Sequence, residues 1–578
     1  MPSEGDPMLD VLIRNGAIVD GTGAAPRSGD VGIRDGRVVA VGTVDEPATR
    51  TIEAEGKVVA PGFVDIHTHY DAQVFFDTTL SPSPLHGVTT VIGGNCGFTI
   101  APLGPEHGDY LMRMLARVEG MSVSALAAGV PWDWKTFGEY LDRIDGTLAP
   151  NAGFRGGHST LRRVVMGDRA TEGAATPDDI TAMERLLGES LAAGGMGFSS
   201  SWARTHNDAE GDMVPSRYAT EDEIIALCRV VSNYPGTTVE FIPGVGSFEE
   251  YAPELMTRMS LAANRPVNWN VLFVSAGNEA MAEHNLAASD YAAERGATVL
   301  ALTMPDAPSP RICFDNGFLL DTIPGWQKPM TLPHDEKKTM LARAEGRVAL
   351  REAAGDGKGL VGIANWPIYV INETFAPENK QYEGRSVGDV AREQDKDPLD
   401  ALLDIVVADD LMTGFGFPRG PERDEDWAAR VKVWRDSRTV VGASDAGAHL
   451  DFLATFNYST ALLGKAVRER HMLPMEEAIH MLTDVPARLY GLTGRGRLQE
   501  GWHADVVVLD PTTIGPQPVR MRFDLPTDAP RLFGGADGID HVLVNGAEIV
   551  DHGAFTAERP GTLLRSGRDT ETVTASGT

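Results

Sequence analysis

Between residues 61 and about 490, short apolar runs alternate with longer segments of helical periodicity. Runs such as GVTTVIGG (87–94), TTVEFI (237–242) and TVVGAS (439–444) predict strands, and segments such as TPDDITAMERLLGESLAAG (176–194) predict helices. This alternation is typical of parallel βαβ units, and enough units are present to close a (β/α)8 barrel of the TIM type. An open, doubly wound sheet is the alternative, although no GxGxxG opens a helix after a strand.

The two ends of the chain have a different pattern, with short strands and tight turns. Asn15-Gly16, Asp35-Gly36 and Asn545-Gly546 each lie between apolar runs. Such pairs favour two-residue hairpin turns, because both central residues must adopt a positive φ. We therefore expect residues 1–60 and 491–578 to assemble into one small β-sandwich domain, with the barrel formed by residues 61–490.

Two stretches, near 104–150 and 305–345, interrupt the alternation and are rich in Pro, Trp, Met and charged residues. We predict that they are insertions over one face of the barrel. Active sites of barrels lie at the carboxyl ends of the strands, where such loops form lids. The alternative is that these insertions have no functional role.

The net charge and the cysteine content limit the binding partners and the cellular compartment that we expect for this chain. The chain has 51 Lys and Arg against 82 Asp and Glu, a net charge of −31. Such a chain repels phosphate backbones and anionic membranes, so nucleic acids and membranes are not expected as partners; the charge also simply favours solubility. Three cysteines give no disulfide framework, and neither a signal peptide nor a long apolar run is evident. These features predict a soluble, cytoplasmic protein.

Directly after the apolar run VVAPGFV, the chain continues as DIHTH (65–69). The side chains of His67 and His69, two residues apart in an extended segment, point to the same side. Two imidazoles at one strand end can reach the same divalent ion, and neutral imidazole suits zinc. Two solvated histidines are the ordinary alternative, but the position after the first predicted barrel strand favours metal ligands.

Two further strand ends have residue types that bind metals. GGNCG (93–97) provides Cys96, whose thiolate is a good zinc ligand, although a single cysteine is more often a small buried hydrophobe. GASDAGAH (442–449) provides Asp445, which could bind a metal and exchange a proton with metal-bound water. An aspartate at this place is also common as a helix cap.

Together, these motifs resemble the amidohydrolase superfamily and, within it, the D-aminoacylase (N-acyl-D-amino-acid deacylase) group. The resemblance covers nearly the whole chain, through PGFVDIHTHYD (61–71), GVTTVIGGNCGF (87–98), GGHSTLRRVVMG (156–167), GFSS (197–200), GASDAGAH (442–449), PARLYGLTGRGRLQEGWHADVVVLDP (486–511) and HVLVNGA (541–547). It implies a barrel with a small β-domain built from both chain ends, one or two zinc ions, a small-molecule substrate and a homo-oligomer. It also implies that His67, His69, Cys96 and Asp445 are metal ligands, with Asp445 also the general acid and base.

The middle strands depart from the family pattern. D-aminoacylases have two more histidine ligands there, but TVEFIPG (238–244) and VNWNVLF (267–273) contain none. Ungapped matching places Phe241 and Val271 at these positions, whereas a shift of one residue places Glu240 and Asn270 there and changes which side chains face inward. In the shifted register, Glu240 is a metal ligand and Asn270 contacts water or substrate. The sequence leaves both registers open.

The substrate contacts of the family are also altered. The lysine that the family uses falls on Phe273, and its tyrosine falls near Arg204. A guanidinium can bind a carboxylate through two hydrogen bonds, so Arg204 is a candidate anchor; a loop salt bridge is the alternative. His158, at another strand end, either binds substrate, orients a neighbouring group or is structural. His449, four residues after Asp445, is a candidate contact near the site.

From these residues we expect hydrolysis of a C–N bond, an amide as in N-acyl-amino acids. The metal activates a water molecule, and Asp445 takes its proton and later gives it to the departing nitrogen. One alternative keeps the site but changes the bond to that of a cyclic amide, a carbamate or an ester. Another is a barrel that has lost its metal and acts as a binding protein.

Overall fold

The computed structural model describes residues 8–104, 106–307, 309–354, 363–418, 420 and 422–577. The strands among these residues, in chain order, are β1 (Leu9–Ile18), β2 (Arg27–Arg34), β3 (Arg37–Gly42), β4 (Ala48–Glu53), β5 (Val58–Pro61), β6 (Phe63–Asp65), β7 (Val88–Gly93), β8 (Asn151–Phe154), β9 (Gly156–Gly157), β10 (Gly197–Ser201), β11 (Thr238–Ile242), β12 (Val267–Leu272), β13 (Val299–Thr303), β14 (Val370–Glu373), β15 (Gly414–Gly416), β16 (Thr439–Val441), β17 (Val506–Leu509), β18 (Gly515–Pro516), β19 (Arg520–Leu525), β20 (Ala529–Phe533), β21 (Ala536–Asp537), β22 (Ile539–Val544), β23 (Ala547–Asp551) and β24 (Ala554–Phe555).

Helices fill the connections between the central strands. The α-helices are α1 (Gly108–Glu119), α2 (Val123–Gly129), α3 (Phe137–Ile144), α4 (His158–Met166), α5 (Pro177–Ala192), α6 (Glu221–Ser232), α7 (Ala252–Ala263), α8 (Glu279–Ala293), α9 (Gln327–Thr331), α10 (His334–Ala342), α11 (Ala344–Ala354), α12 (Val387–Gln394), α13 (Pro398–Ala408), α14 (Asp424–Trp434), α15 (Tyr458–Ala461), α16 (Met475–Leu482) and α17 (Asp484–Leu489). Short 3-10 helices span Gln73–Phe75, Ser83–His86, Gly167–Thr171, Pro215–Tyr218, Leu320–Thr322, Trp366–Ile368, Pro377–Tyr382 and Pro526–Asp528, and a π-helix spans Leu462–Glu469. None of the described helices combines the length and the apolar character needed to cross a membrane.

Two parallel sheets form the centre of the molecule. One has the order β6-β7-β8 and the other β16-β13-β12-β11-β10-β9. β8 ends two residues before β9 begins. On the other side, an isolated parallel bridge joins Thr68, just after β6, to Ala446, just after β16. The alternation of parallel strands and helices confirms the predicted α/β class.

Helix α5 illustrates how the sequence forms these connections. Thr176 caps its first turn: its hydroxyl accepts from the N–H of Asp179, and the Asp179 carboxylate accepts from the N–H of Thr176. Such a reciprocal pair satisfies two donors that the helix start leaves free. Met183, Leu187 and Leu191, spaced by one turn, are buried against the central sheet. A capped start and one apolar face place the helix over the strands.

Strands from both chain ends form one nine-stranded sheet, with the order β24-β23-β22-β17-β5-β1-β2-β3 and with β4 paired to β1. We call it the terminal sheet. Its strands come from residues 9–61 and 506–555. The domain bounds 1–60 and 491–578 and the two-sheet sandwich stay predictions. Asp35-Gly36 and Asn545-Gly546 have positive φ and join neighbouring strands, as expected.

The predicted turn at Asn15-Gly16 is wrong, because both residues lie inside β1, where the pairing with β2 shifts register. Gly16 is needed there for a different reason. A Cβ atom at this position would lie 2.4 Å from Cγ2 of Val59 on β5. The dipeptide therefore forms an irregularity within a strand rather than a hairpin.

The stretch predicted as the first insertion, near 104–150, contains α1, α2 and α3. The stretch predicted at 305–345 is only part of a longer excursion between β13 and β16, which contains α9 to α14 and the pair β14-β15. This excursion has its own apolar core, which includes Trp326, Leu402 and Phe415. The sequence pattern identified its start but not its end.

The last described segment does not join the terminal sheet. Leu564 donates its N–H to the carbonyl of Ala152, Thr570 donates to Gly236, and Thr298 donates to Ala575. Gly236 and Thr298 each lie just before a central strand. Residues 564–575 therefore run along the central sheets near the amino ends of their strands. The site described next lies at the opposite, carboxyl ends.

Candidate metal centre

His67 and His69 follow the carboxyl end of β6 in an extended segment. Thr68, between them, donates its N–H to the carbonyl of Ile92 at the end of β7 and bridges to Ala446. The backbone is thus held from both sides. The side chains of His67 and His69 are both buried, and their ring centroids lie 5.3 Å apart. The expected placement of two imidazoles on one side of a strand end is therefore observed.

The loop after β7 places Cys96 beside these histidines. Cys96 has a left-handed backbone, with φ of 55°. Gly94 also has a positive φ, and a Cβ atom there would lie 2.6 Å from the carbonyl oxygen of Arg155. Gly97 donates its N–H to the Ser199 hydroxyl on β10. The glycines of the GGNCG motif therefore allow a tight turn that presents the thiol.

The ligand atoms of His67, His69 and Cys96 all lie within 4.8 Å of one another. Cys96 Sγ is 3.6 Å from His67 Nε2. Asp445 Oδ1 lies 3.3 Å from His67 Nε2 and 3.0 Å from His69 Nε2. Four side chains from three strand ends thus converge, as the sequence analysis expected of these residues.

Burial and charge act differently on the two acidic members of this group. Burial opposes ionisation of Asp445, but hydrogen bonds from His67 and His69 hold its pKa well below the usual range. Burial and the nearby Glu240 raise the pKa of the Cys96 thiol. The thiol can therefore ionise only with a compensating positive charge. A divalent cation would supply that charge.

Glu119, at the end of α1, is a site residue that the sequence analysis missed. Its Oε1 lies 3.0 Å from Nδ1 of His69, and its side chain is almost fully buried. A carboxylate on Nδ1 fixes the ring orientation and leaves Nε2 facing the centre. The insertion 104–150 thus contributes directly to the site. The only signal in the sequence was its position in this insertion.

Glu240, rather than Phe241, faces the loop that bears Cys96. Its Oε2 accepts a 2.8 Å hydrogen bond from the N–H of Cys96, and its Oε1 accepts from the amide of Asn270. Phe241 instead packs with Trp202 in an apolar cluster. Glu240 is not part of the group whose ligand atoms lie within 4.8 Å of one another. Burial raises the pKa of its carboxyl group.

A family model described as "Amidohydrolase family" matches residues 50–550. The chain belongs to the amidohydrolase family. It is 28% identical to a D-aminoacylase from Alcaligenes xylosoxydans xylosoxydans, over 96% of this chain and 97% of that protein. It is equally identical to an N-acyl-D-aspartate deacylase from the same organism, over 96% of this chain and 95% of that one.

Solved structures give the same relationship. A D-aminoacylase described as having a binuclear metal centre superposes with a TM-score of 0.66 at 26% identity, over 96% of this chain and all of that one. The N-acyl-D-glutamate deacylase of Bordetella bronchiseptica, solved with zinc and a phosphonate inhibitor, superposes with a TM-score of 0.64 at 26% identity, over 97% of this chain and all of that one.

Two residues of this amidohydrolase that were predicted to contact substrate, His158 and Arg204, instead contact other side chains of the protein. His158 is fully buried, with Nδ1 2.8 Å from the Ser200 hydroxyl and Nε2 2.9 Å from Glu223. Both ring nitrogens are thus occupied within the protein. Arg204 is 81% exposed and pairs with Glu249 at 2.6 Å, as the loop salt-bridge alternative proposed.

His449 is the predicted contact that lies nearest to the centre, with Nε2 3.5 Å from Asp445 Oδ2. A second histidine, His206, was not predicted. Its ring packs against Phe98 with centroids 5.1 Å apart, and its Nδ1 lies 2.7 Å from the Ser201 hydroxyl. Burial lowers the pKa of His206 to about 3, so its ring is neutral. Its sequence signal was only its position in the loop after β10.

Proposed function

We propose that this amidohydrolase cleaves the amide bond of an N-acyl-amino acid at a zinc centre held by His67, His69, Cys96 and Asp445. The observation that carries the proposal is the position of Asp445 Oδ1, within 3.3 Å of Nε2 of both histidines. Membership of the amidohydrolase family and the names of the relatives support the reaction class.

The donor set suits zinc. Two imidazole nitrogens and one thiolate are ligands that zinc prefers, and such a set leaves room for water or substrate. The buried carboxyl groups of Glu119 and Glu240 stand nearby, so a cation would be favoured electrostatically. When bound, zinc polarises the substrate carbonyl and lowers the pKa of water.

Asp445 is the proposed general base and general acid. Its low pKa keeps it ionised at neutral pH, and its partly exposed side chain can reach water. It takes a proton from the attacking water and gives it to the departing nitrogen. His449, 3.5 Å from Asp445 Oδ2, is proposed to contact the substrate at this edge.

Glu240, Asn270 and His158 are proposed to position neighbouring groups rather than to contact the ion or the substrate. Glu240 and Asn270 hold the backbone at Cys96, and His158 holds Ser200 on β10. Glu240 thus stabilises the loop that bears a ligand rather than binding the ion itself. Positioning of this kind orients ligands and affects metal affinity.

We also propose that β6 to β13 and β16 close into a (β/α)8 barrel. The support is the short step from β8 to β9 on one side and the bridge between Thr68 and Ala446 on the other. Such closure would bring all the site residues to the carboxyl ends of the strands. The substrate is then a small molecule that enters from that face, and the homo-oligomer implied by the resemblance stays part of the proposal.

The test is hydrolysis by purified protein with a measured zinc content. A panel of N-acyl-D- and N-acyl-L-amino acids is compared with hydantoins, lactams, carbamates and esters. We expect amide hydrolysis that is lost on chelation and regained with zinc. Preferred cleavage of a ring or an ester would replace the proposed bond. A protein that neither binds zinc nor hydrolyses any substrate would instead be a binding protein.

A further inference from the structure

A cavity of about 810 Å³ opens beside the loops that follow β10 and β11. These strands end at the same face as the metal centre, and β11 contains Glu240. Trp202, Tyr218, Phe248 and Tyr251 contribute aromatic side chains to its lining. Its cationic residues are Arg204 and Arg217, and its acidic residues are Asp212, Glu249 and Asp321. The cavity thus combines aromatic surface with charged groups, which can fix the orientation of a small molecule.

Arg217 lies in the short helix Pro215–Tyr218, and its guanidinium is held at one end only. Nη1 donates to the carbonyl of His206 at 3.1 Å and to Oδ1 of Asn207 at 3.0 Å. Within the described part of the chain, Nε and Nη2 have no hydrogen-bond acceptor, and no carboxylate lies within 4.0 Å of Arg217. The Nε–Nη2 edge is therefore available to a ligand.

Three of the other charged residues that line the cavity have ion-pair partners: Arg204 pairs with Glu249, and Asp321 pairs with Arg117. Asp212 has no ion pair among the described residues. Burial lowers the pKa of Arg217, which reflects the cost of a cation in this place without an anion. Because burying a charge is costly unless it is paired, the unbonded edge of the Arg217 guanidinium favours an anionic ligand.

A series of contacts connects Arg217 to the loop that bears Cys96. The carbonyl that it binds belongs to His206, whose ring packs against Phe98. Phe98 is two residues from Cys96 in the same loop. The charges of Asp445 and His449 also act on the His206 ring. His206 thus contacts Arg217 through its carbonyl and the loop of Cys96 through its ring.

We propose that Arg217 binds a carboxylate of the substrate through its Nε–Nη2 edge, while the aromatic side chains of the cavity contact the substrate's apolar part. This inference rests on the proposed amide hydrolysis and specifies which substrates the site accepts. Two parallel N–H donors match the two oxygens of a carboxylate, a geometry that lysine cannot provide. The carboxylate is either the α-carboxylate of the amino acid or one on its side chain.

The test compares Arg217→Met with Arg185→Met, a change of an exposed, ion-paired arginine on α5 that does not line the cavity. Each protein is loaded with zinc and assayed with an N-acyl-amino acid and with the corresponding N-acyl-amino acid amide, which lacks the negative charge. We expect Arg217→Met to lower kcat/KM for the carboxylate substrate by about 10- to 100-fold, mainly through KM, with little change for the amide. Arg185→Met is expected to change neither by more than about threefold.

N-acyl-aspartate and N-acyl-glutamate distinguish the two sources of the carboxylate. If Arg217 binds the α-carboxylate, amidation of that group removes the effect of the substitution; if it binds the side chain, only side-chain amidation does. Equal losses for carboxylate and amide substrates would indicate that Arg217 only supports the His206 loop, and would overturn the proposal.

Failure of the proposed function has a separate result. If the zinc-loaded protein hydrolyses no N-acyl compound, binding of the same carboxylate and amide is measured by calorimetry on the wild type and on Arg217→Met. Tighter binding of the carboxylate that depends on Arg217 would uphold the anchor without the reaction. Equal binding of both compounds by both proteins would overturn the anchor as well.

Discussion

Glu240 accepts a 2.8 Å hydrogen bond from the backbone N–H of Cys96. Cys96 has φ of 55°, a conformation that costs a non-glycine residue about 1–3 kcal/mol and persists when its surroundings impose it. The Glu240 carboxylate is itself held by the Asn270 amide. A buried pair on two neighbouring strands thus fixes the backbone that presents the thiol.

Removing this acceptor should weaken metal binding. Glu240→Ala leaves the Cys96 N–H buried without a partner, and we expect zinc affinity to fall about 10- to 100-fold. Glu240→Gln keeps one carbonyl oxygen for that N–H, and rotation of the Asn270 amide would turn its Oδ1 to the new amide group; we expect a change of only a few-fold. Zinc competition with a chromophoric chelator measures both. A loss of zinc affinity in Glu240→Gln as large as that in Glu240→Ala would instead assign Glu240 a direct role on the ion, because both changes remove the charged oxygen.

We expect Glu119 to affect zinc binding only through the orientation of the His69 ring. Glu119→Ala removes the carboxylate 3.0 Å from His69 Nδ1 and frees the ring to turn. We expect zinc affinity to fall about 10- to 100-fold, with the fold retained. Glu249→Ala, at an exposed carboxylate, is the matched control. Unchanged zinc content and affinity in Glu119→Ala would show that the His69 ring is held by other contacts.

Asp445→Asn separates metal binding from proton transfer. The amide keeps the shape of the side chain but cannot accept the proton from water. We expect zinc to be retained while kcat falls about 10²- to 10⁴-fold. Metal analysis and steady-state kinetics on the same preparation provide the measurement. Normal turnover in this variant would remove Asp445 from the mechanism.

His86 should make the protein less stable in mild acid. Its ring is buried between the Thr460 hydroxyl and the Gly534 carbonyl, and burial lowers its pKa to about 4. The unfolded chain, with a pKa of about 6.5, binds more protons between these values, so the free energy of unfolding falls as the pH drops from about 6.5 to 4. The loss reaches about 3 kcal/mol at the lower limit.

His86→Gln cannot titrate and should show a smaller fall of the thermal midpoint between pH 7 and pH 4.5. The comparison with the wild type cancels the other groups that titrate in this range. His552→Gln, at an exposed histidine, is the control and should behave as the wild type does. Identical pH profiles for the wild type and His86→Gln would show that His86 is not the group responsible.

Much of the centre could be predicted because its residues are close to strand ends in the sequence. His67, His69, Cys96 and Asp445 follow apolar strands within a few residues, and parallel strands bring their carboxyl ends to one face. Each position is thus fixed by local sequence and by a general property of the fold. The middle strands were ambiguous, because a shift of one residue exchanges the two faces of a strand. The tertiary structure distinguishes them, because Phe241 packs in an apolar cluster while Glu240 accepts a hydrogen bond from Cys96.

The sequence by itself determined the α/β class, the joining of both chain ends in one β-unit and the side chains that converge at the centre, because these depend on periodicity and on position along strands. The tertiary structure alone decided that Glu119 reaches His69 and that Arg204 is already paired while Arg217 is not. The physical reason is that these contacts join residues 45 or more positions apart in the chain, or depend on which charges find partners. Neither property is encoded in the local pattern of the chain.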